Sequence, residues 1–162
     1  MSCLYAETGI NIRRAIKEDV KQLSELIYRF YSFNAEFDPS WAAVNNLREL
    51  ANDRANKLVE DQESLVLVAV QGLEVIGYLV AYVEENDLLI NGRQLVIKEL
   101  YVKPEQRRQG VATLLVNRAR DEARKQGASL VTVEFPAGNK IAEDLYAKMG
   151  FRPYLVRYVK EV

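Results

Sequence analysis

The sequence of 162 residues contains no histidine. This absence removes the Ser-His-Asp and Cys-His catalytic arrangements together with the imidazole ligands of most metal sites. Because Cys3 is the single cysteine, the chain can form no internal disulfide, and it lacks the ligands of a structural zinc site. We therefore expect no metal, and any proton transfer must rely on Glu, Asp, Tyr, Lys or water.

Long apolar runs and an excess of one charge are also missing. The 22 basic and 23 acidic residues nearly cancel, which gives no overall attraction to nucleic acid or to an anionic membrane. The longest apolar run, residues 65–70, is too short to cross a bilayer, and the N-terminus does not resemble a signal peptide. We expect neither nucleic acid nor a membrane as partner, and the single cysteine favours a cytoplasmic protein.

The hydrophobic patterning predicts one mixed α/β domain, residues 1–162, with the element order βααβββαβαβ. Strands are predicted at 10–15, 64–71, 75–85, 93–102 and 129–135, with a last strand after residue 152. Helices are predicted at 18–31, from about residue 40, at 110–126 and at 140–149, and Asn91-Gly92 indicates a hairpin.

The fourth predicted strand contains a change of phase. Leu95 and Ile97 share one parity, whereas Leu100 and Val102 have the other. An inserted residue, a β-bulge, produces such a slip and can leave backbone groups free for a ligand. The alternative is a strand buried on both faces, where parity carries little information.

A loop rich in positive charge follows this strand, in the stretch VKPEQRRQGVATLL (102–115). The chain has neither a P-loop motif nor a Gly-x-Gly-x-x-Gly motif. The first amides of the following helix have no intrahelical partners, and Gly110 would let a phosphate approach them closely. Arg107 and Arg108 would add charge at the rim of such a site.

Two motifs resemble those of the GNAT superfamily of N-acetyltransferases. Arg107, Gly110 and Ala112 match its [QR]-x-x-G-x-[GA] signature after a strand. Residues 139–151, NKIAEDLYAKMGF, match its N-x-x-A-x-x-x-Y-x-x-x-G-F block. Arg108 departs from the pattern, because many members carry glycine there; the departure concerns the path of the loop and leaves the fold unchanged.

The resemblance implies the GNAT fold, a central mixed and splayed β-sheet flanked by helices, and acetyl-CoA as acetyl donor. It implies that strand 129–135 splays from its neighbour and that backbone groups of Leu100, Tyr101 and Val102 pair with the pantetheine arm. Arg107 would lie at the rim, and the pyrophosphate would be held by the amides of Arg108, Gln109, Gly110, Val111, Ala112 and Thr113.

Carboxylates and tyrosines are the candidates for proton transfer. Tyr146 matches the tyrosine that protonates the CoA sulfur in related enzymes; otherwise it packs a helix on the sheet. Glu134 and Glu99 are candidate general bases, and each is alternatively a solvated carboxylate. Asn139 either contacts the cofactor or caps the short helix.

The acceptor is expected to bind the first two helices and their connection, through Tyr31, Phe33, Glu36 and Phe37. Several of these aromatic residues are alternatively core residues. The resulting prediction is an N-acetyltransferase for a primary amine of a small molecule or peptide. The alternative is a non-catalytic acetyl-CoA-binding sensor, and a homodimer is left open.

Overall fold

Five strands form one sheet at the centre of the computed structural model, which describes residues 9–162. The expectation about Cys3 lies outside these residues. The strands follow the order β1-β2-β3-β4-β5 and are Ile10–Arg14, Ser64–Gln71, Glu74–Glu84, Gln94–Val102 and Leu130–Val133. Neighbours among the first four are antiparallel, whereas β5 runs parallel to β4. The sheet is therefore mixed, as predicted.

Four α-helices cover the two faces of this sheet: α1 Val20–Asn34, α2 Leu47–Glu60, α3 Val111–Lys125 and α4 Lys140–Lys148. Short 3₁₀ turns lie at Lys17–Asp19, Pro39–Trp41 and Pro104–Gln106. The apolar stripes of α1 and α2 pack on one face, and those of α3 and α4 pack on the other. Residues along β2 alternate between the two cores, as the pleat of a strand requires.

The second helix begins later than the sequence predicts. Asp38 accepts a hydrogen bond from the backbone amide of Ser40 at 2.8 Å, and this cap supports only the single turn Pro39–Trp41. Ala42 then adopts an extended ψ of 126°, and α2 starts at Leu47. The predicted start at residue 40 is therefore wrong, and an irregular connection takes the place of that helical segment.

The predicted last strand is also wrong, because residues 151–162 form no regular secondary structure. Tyr154 contacts the body of the protein through a hydrogen bond from Gln94, 3.1 Å long. Beyond it Leu155, Val156 and Tyr158 are 84%, 73% and 91% exposed. Alternating apolar side chains favour a strand, but a strand also requires a hydrogen-bonded neighbour, and this segment pairs with none within residues 9–162.

Candidate active site

The sheet opens at a bulge in β4. Val80 of β3 pairs with Glu99, and the next residue, Ala81, pairs with Ile97, so Lys98 is the inserted residue. Leu100 and Val102 consequently face the same core as Leu95 and Ile97 despite their opposite parity. The predicted bulge is confirmed.

At the same point β5 separates from β4. The parallel pairing of the two strands extends from Gln94 to Ile97 and ends with a 3.1 Å hydrogen bond from Glu134 N to the Ile97 carbonyl. No strand of the described chain pairs with this edge of β4 from Leu100 to Val102. The outward backbone groups there form an open edge that an extended ligand can follow.

The loop after β4 presents a row of free amides. Arg108 and Gly110 both adopt left-handed conformations, with φ of 67° and 77°. No acceptor within residues 9–162 pairs with the amides of residues 108–113, and the first capping bond of α3 runs from Leu114 N to the Gly110 carbonyl. Successive amides in such turns, placed at the positive end of a helix, form an anion-binding concavity.

The left-handed conformation of Arg108 is one that favours glycine, the residue that many members of the resembled family carry at this position. Glycine adopts this conformation without strain, whereas a residue with a side chain costs about 1 kcal/mol there. The loop therefore keeps the path that glycine would favour and adds a guanidinium group. Arg107 lies differently: its Nε donates to the Val102 carbonyl at 3.2 Å, and its guanidinium lies over the rings of Phe33 and Tyr101.

Tyr146 lies between two aromatic rings on the α3–α4 side of the sheet. Phe135 stacks on it with centroids 5.4 Å apart, and Phe151 contacts it edge-on at 5.5 Å. Burial of the ring raises the pKa of the phenol. Its hydroxyl donates no hydrogen bond to another described residue, so the neutral phenol keeps a proton to donate.

Glu134 follows β5 directly and stands where the two strands separate. Lys98, the bulged residue, donates to its carboxylate at 2.9 Å and also contacts Glu84 at 3.1 Å. Burial disfavours the charged form of Lys98, but the hydrogen bonds that its ammonium group donates to Glu134 and Glu84 outweigh this effect and raise the pKa of Lys98. Glu134 itself remains about half-exposed, so water reaches it.

Glu99 occupies a different environment on the opposite face of the sheet. Its side chain is 2% exposed and accepts hydrogen bonds from three residues. Tyr31 of α1 donates at 2.7 Å, Tyr78 of β3 at 3.1 Å, and Arg54 of α2 through Nε at 2.8 Å and Nη2 at 2.7 Å. We call these four side chains the Glu99 cluster. Sequence patterns identified neither Arg54 nor Tyr78 as part of it.

Burial and electrostatic interactions within the Glu99 cluster shift the pKa values of Tyr31, Tyr78 and Arg54. Burial, together with the carboxylate, raises the pKa of both Tyr31 and Tyr78 above the ordinary tyrosine value. Burial disfavours the charged form of Arg54, but the charge of Glu99 outweighs that effect and raises the pKa of Arg54. At neutral pH Tyr31 and Tyr78 therefore stay protonated, and the Arg54 guanidinium stays charged.

Asn139 caps α4. Its side-chain oxygen accepts from Ala142 N at 3.0 Å, and its Nδ2 donates to Oδ1 of Asn34, the last residue of α1, at 3.2 Å. Asn34 in turn donates to the Phe30 carbonyl at 2.9 Å. The geometry favours capping and helix–helix attachment over contact with a cofactor.

The aromatic residues predicted to bind the acceptor divide into two groups. Phe33 and Phe37 contact each other edge-on at 5.0 Å, and a Cβ on Gly138 would lie 2.8 Å from the Phe37 carbonyl. The backbone of Phe37 therefore lies close to Gly138 in the loop before α4. Tyr31 points instead to Glu99, and Glu36 is exposed.

Comparison with known proteins identifies the family. The model of the acetyltransferase (GNAT) family matches residues 20–151. The chain belongs to this family. It is 25% identical over 142 residues to the uncharacterized N-acetyltransferase YhfO of Bacillus subtilis, with 88% of this chain and 89% of that protein covered. The protein is therefore an acyltransferase with the GNAT fold, as the sequence motifs predict.

Solved structures share the same fold at low sequence identity. The BH1408 protein of Bacillus halodurans, as a tetramutant, superposes with a TM-score of 0.82 at 19% identity, covering 94% of this chain and 99% of that one. The aminoglycoside N-acetyltransferase AAC(6')-Iy, in complex with a CoA bisubstrate analogue, gives 0.74 at 15% identity with the same coverage.

Two further properties concern the described chain as a whole. Residues 9–162 contain no helix with both the length and the apolar character that crossing a bilayer requires. They also contain no group of three or more His, Cys, Asp or Glu side chains placed to hold a metal ion.

The role of the free amides of residues 108–113 in binding acetyl-CoA can be tested by a substitution that has a matched control. A Cβ at Gly110 would meet no atom of residues 9–162 within 4 Å beyond its immediate surroundings in the chain, and the same holds for Gly127 at the other end of α3, whose φ is 72°. Gly110→Val and Gly127→Val should therefore lower stability by similar amounts, about 1–2 kcal/mol. We expect only Gly110→Val to weaken acetyl-CoA binding, by at least ~10-fold, or about 1.4 kcal/mol.

Isothermal titration calorimetry measures the affinity, and thermal unfolding measures the stability. Equal acetyl-CoA affinity of Gly110→Val and the original protein would show that the phosphates bind elsewhere.

Proposed function

We propose that the protein transfers the acetyl group of acetyl-CoA to a primary amine, with Tyr146 as general acid. The observation that carries this proposal is the continuity of the open β4 edge with the free amides of residues 108–113. An extended pantetheine arm fits the first, and a pyrophosphate fits the second. The single cysteine also leads us to propose the cytoplasm as its compartment.

Binding of the donor uses backbone groups for position and arginines for charge. The edge from Leu100 to Val102 offers hydrogen bonds to the amides of the pantetheine arm, although Arg107 already donates to the Val102 carbonyl. Arg108 stands at the rim with its guanidinium unpaired among the described residues. Acetyl-CoA bound along this edge would supply an activated acetyl group as its thioester.

The transfer requires one bond to form, one to break and one proton to change place. The amine nitrogen forms a bond to the acetyl carbonyl carbon, the carbon–sulfur bond breaks with its electron pair on sulfur, and nitrogen releases a proton. The thiolate then takes a proton. The Tyr146 phenol suits this second role, because burial keeps it protonated and its hydroxyl donates to none of residues 9–162.

The Tyr146→Phe variant tests both the reaction and the acid. Phenylalanine keeps the contacts with Phe135 and Phe151, so stability and acetyl-CoA affinity should change little. We expect CoA release with a primary amine to fall about 10- to 1000-fold in kcat, the range for loss of a positioned proton donor. The exposed Tyr158→Phe provides the control.

A screen of amines with the unmodified protein precedes that comparison. Tight binding of acetyl-CoA without CoA release above background for any amine would favour the alternative function, a non-catalytic acetyl-CoA sensor. Full turnover of Tyr146→Phe would make Tyr146 a packing residue of an active enzyme.

We propose Glu134 rather than Glu99 as the residue that accepts the proton of the amine, directly or through water. Glu134 is accessible and stands at the separation of the strands, whereas both oxygens of Glu99 already accept hydrogen bonds. Protonating Glu99 would disrupt its pairing with Arg54, so its role here is to position Tyr31 and Arg54.

The pH dependence of kcat/KM distinguishes the two carboxylates. Glu134→Gln should flatten or shift the acidic limb, because the group that must be deprotonated is removed. Glu99→Gln should keep the limb and instead lower stability by about 3 kcal/mol, since it leaves Arg54 without its anionic partner.

Glu143→Gln is the matched control, because Glu143 is an exposed carboxylate paired with a lysine, as Glu134 is. If the Glu134→Gln profile coincides with that of Glu143→Gln, water or the equilibrium of the amine itself supplies the free base.

We also propose that two copies associate through residues 152–162. The apolar side chains of this segment stand exposed, and the outer edge of β5 pairs with no strand among the described residues. Exposed apolar segments and open sheet edges are features that natural proteins cover. A segment from a second copy, added beside β5, covers both at once.

Light scattering coupled to gel filtration tests this association. We expect the full chain to be a dimer at micromolar concentration and Tyr158→Lys to shift it toward monomer. Leu73→Lys, at a 97% exposed position in the β2–β3 turn, should leave the dimer intact. A monomeric full chain, or a dimer that survives deletion of residues 153–162, would contradict the proposal.

A further inference from the structure

A cleft of about 380 Å³ lies between α1, the connection after it and α2. Its walls are apolar and include Ile27, Trp41, Val44, Leu47 and Leu50. This volume falls in the range of small-molecule sites, which are typically apolar with a few polar groups that fix orientation.

The polar end of the cleft belongs to the Glu99 cluster. Tyr31 and Arg54 line the cleft and also donate to Glu99, which does not line it. Because Glu99 is adjacent to the bulge in β4, the cleft leads from solvent toward the place where the strands separate. A molecule bound in it would direct one end toward that place.

The charge of the lining discriminates between kinds of acceptor. No aspartate or glutamate of the described chain lines the cleft, and Arg54 is the one charged lining residue. Its Nη1 donates to no described residue, whereas its Nε and Nη2 are held by Glu99. A second ammonium group on the acceptor would meet a like charge here and find no carboxylate to pair with.

Resting on the proposed function, we infer that this cleft selects a primary amine on an apolar body with no second positive charge, such as an arylalkylamine. Polyamines, aminoglycosides and lysine-rich peptides lack the apolar body and carry further cations. The hydrocarbon part of the preferred acceptor packs on Trp41, Val44 and Leu50, and its amine points past Tyr31.

Trp41, Val44 and Leu50 are each partly exposed, with Val44 at 54%. An apolar acceptor body would cover these three side chains. Val44 can also be replaced by a charged residue without burying that charge.

Steady-state kinetics with 2-phenylethylamine and spermidine as acceptors test this inference. We expect the original protein to show at least ~10-fold higher kcat/KM for 2-phenylethylamine. Val44→Asp should lower that value about 10-fold through KM, raise the value for spermidine, and leave the KM for acetyl-CoA unchanged. Leu88→Asp, at a 92% exposed position between β3 and β4, should alter neither preference.

The outcomes separate this inference from the proposed function. Turnover that favours spermidine, or a preference that Val44→Asp does not move, overturns the inference and leaves the acetyltransferase activity in place. Binding of acetyl-CoA with no turnover of either amine, or of any other amine, overturns both.

Discussion

The Glu99 carboxylate holds three elements of the structure in one arrangement. It receives hydrogen bonds from α1, α2 and β3 while standing on β4, and it is almost fully buried. A buried carboxylate is stable only when it is paired and hydrogen-bonded, so these partners cannot move away independently. The wall of the cleft, formed by both helices, therefore depends on one side chain of the central strand.

The bulge at Lys98 determines which face receives that carboxylate. If Lys98 were paired as in a regular strand, Glu99 would share the face of Ile97 and point into the core beneath α3. The same residue coincides with the end of β4–β5 pairing, and its ammonium group holds Glu134 beside the opening. One extra residue thus sets the position of both carboxylates and of the open edge.

Features that depend on local sequence could be predicted. The phase slip in β4 and the glycine before α3 are visible within a few residues, and the structure has both. The pairing of Arg54 with Glu99 spans 45 positions and leaves no local pattern, so the sequence indicates Glu99 as a candidate base and gives no sign of Arg54. The strand predicted after residue 152 fails for a different reason. The residues of this segment favour a strand, but no neighbouring strand among residues 9–162 pairs with it.

The hydrogen bond between Asn34 and Asn139 ties the end of α1 to the beginning of α4. The helix that carries Tyr31 and the helix that carries Tyr146 are thereby linked across the opening between β4 and β5, and Phe37 packs against Gly138 beside the link. This buried hydrogen bond attaches the two helices to each other, so separating them at this junction requires breaking it.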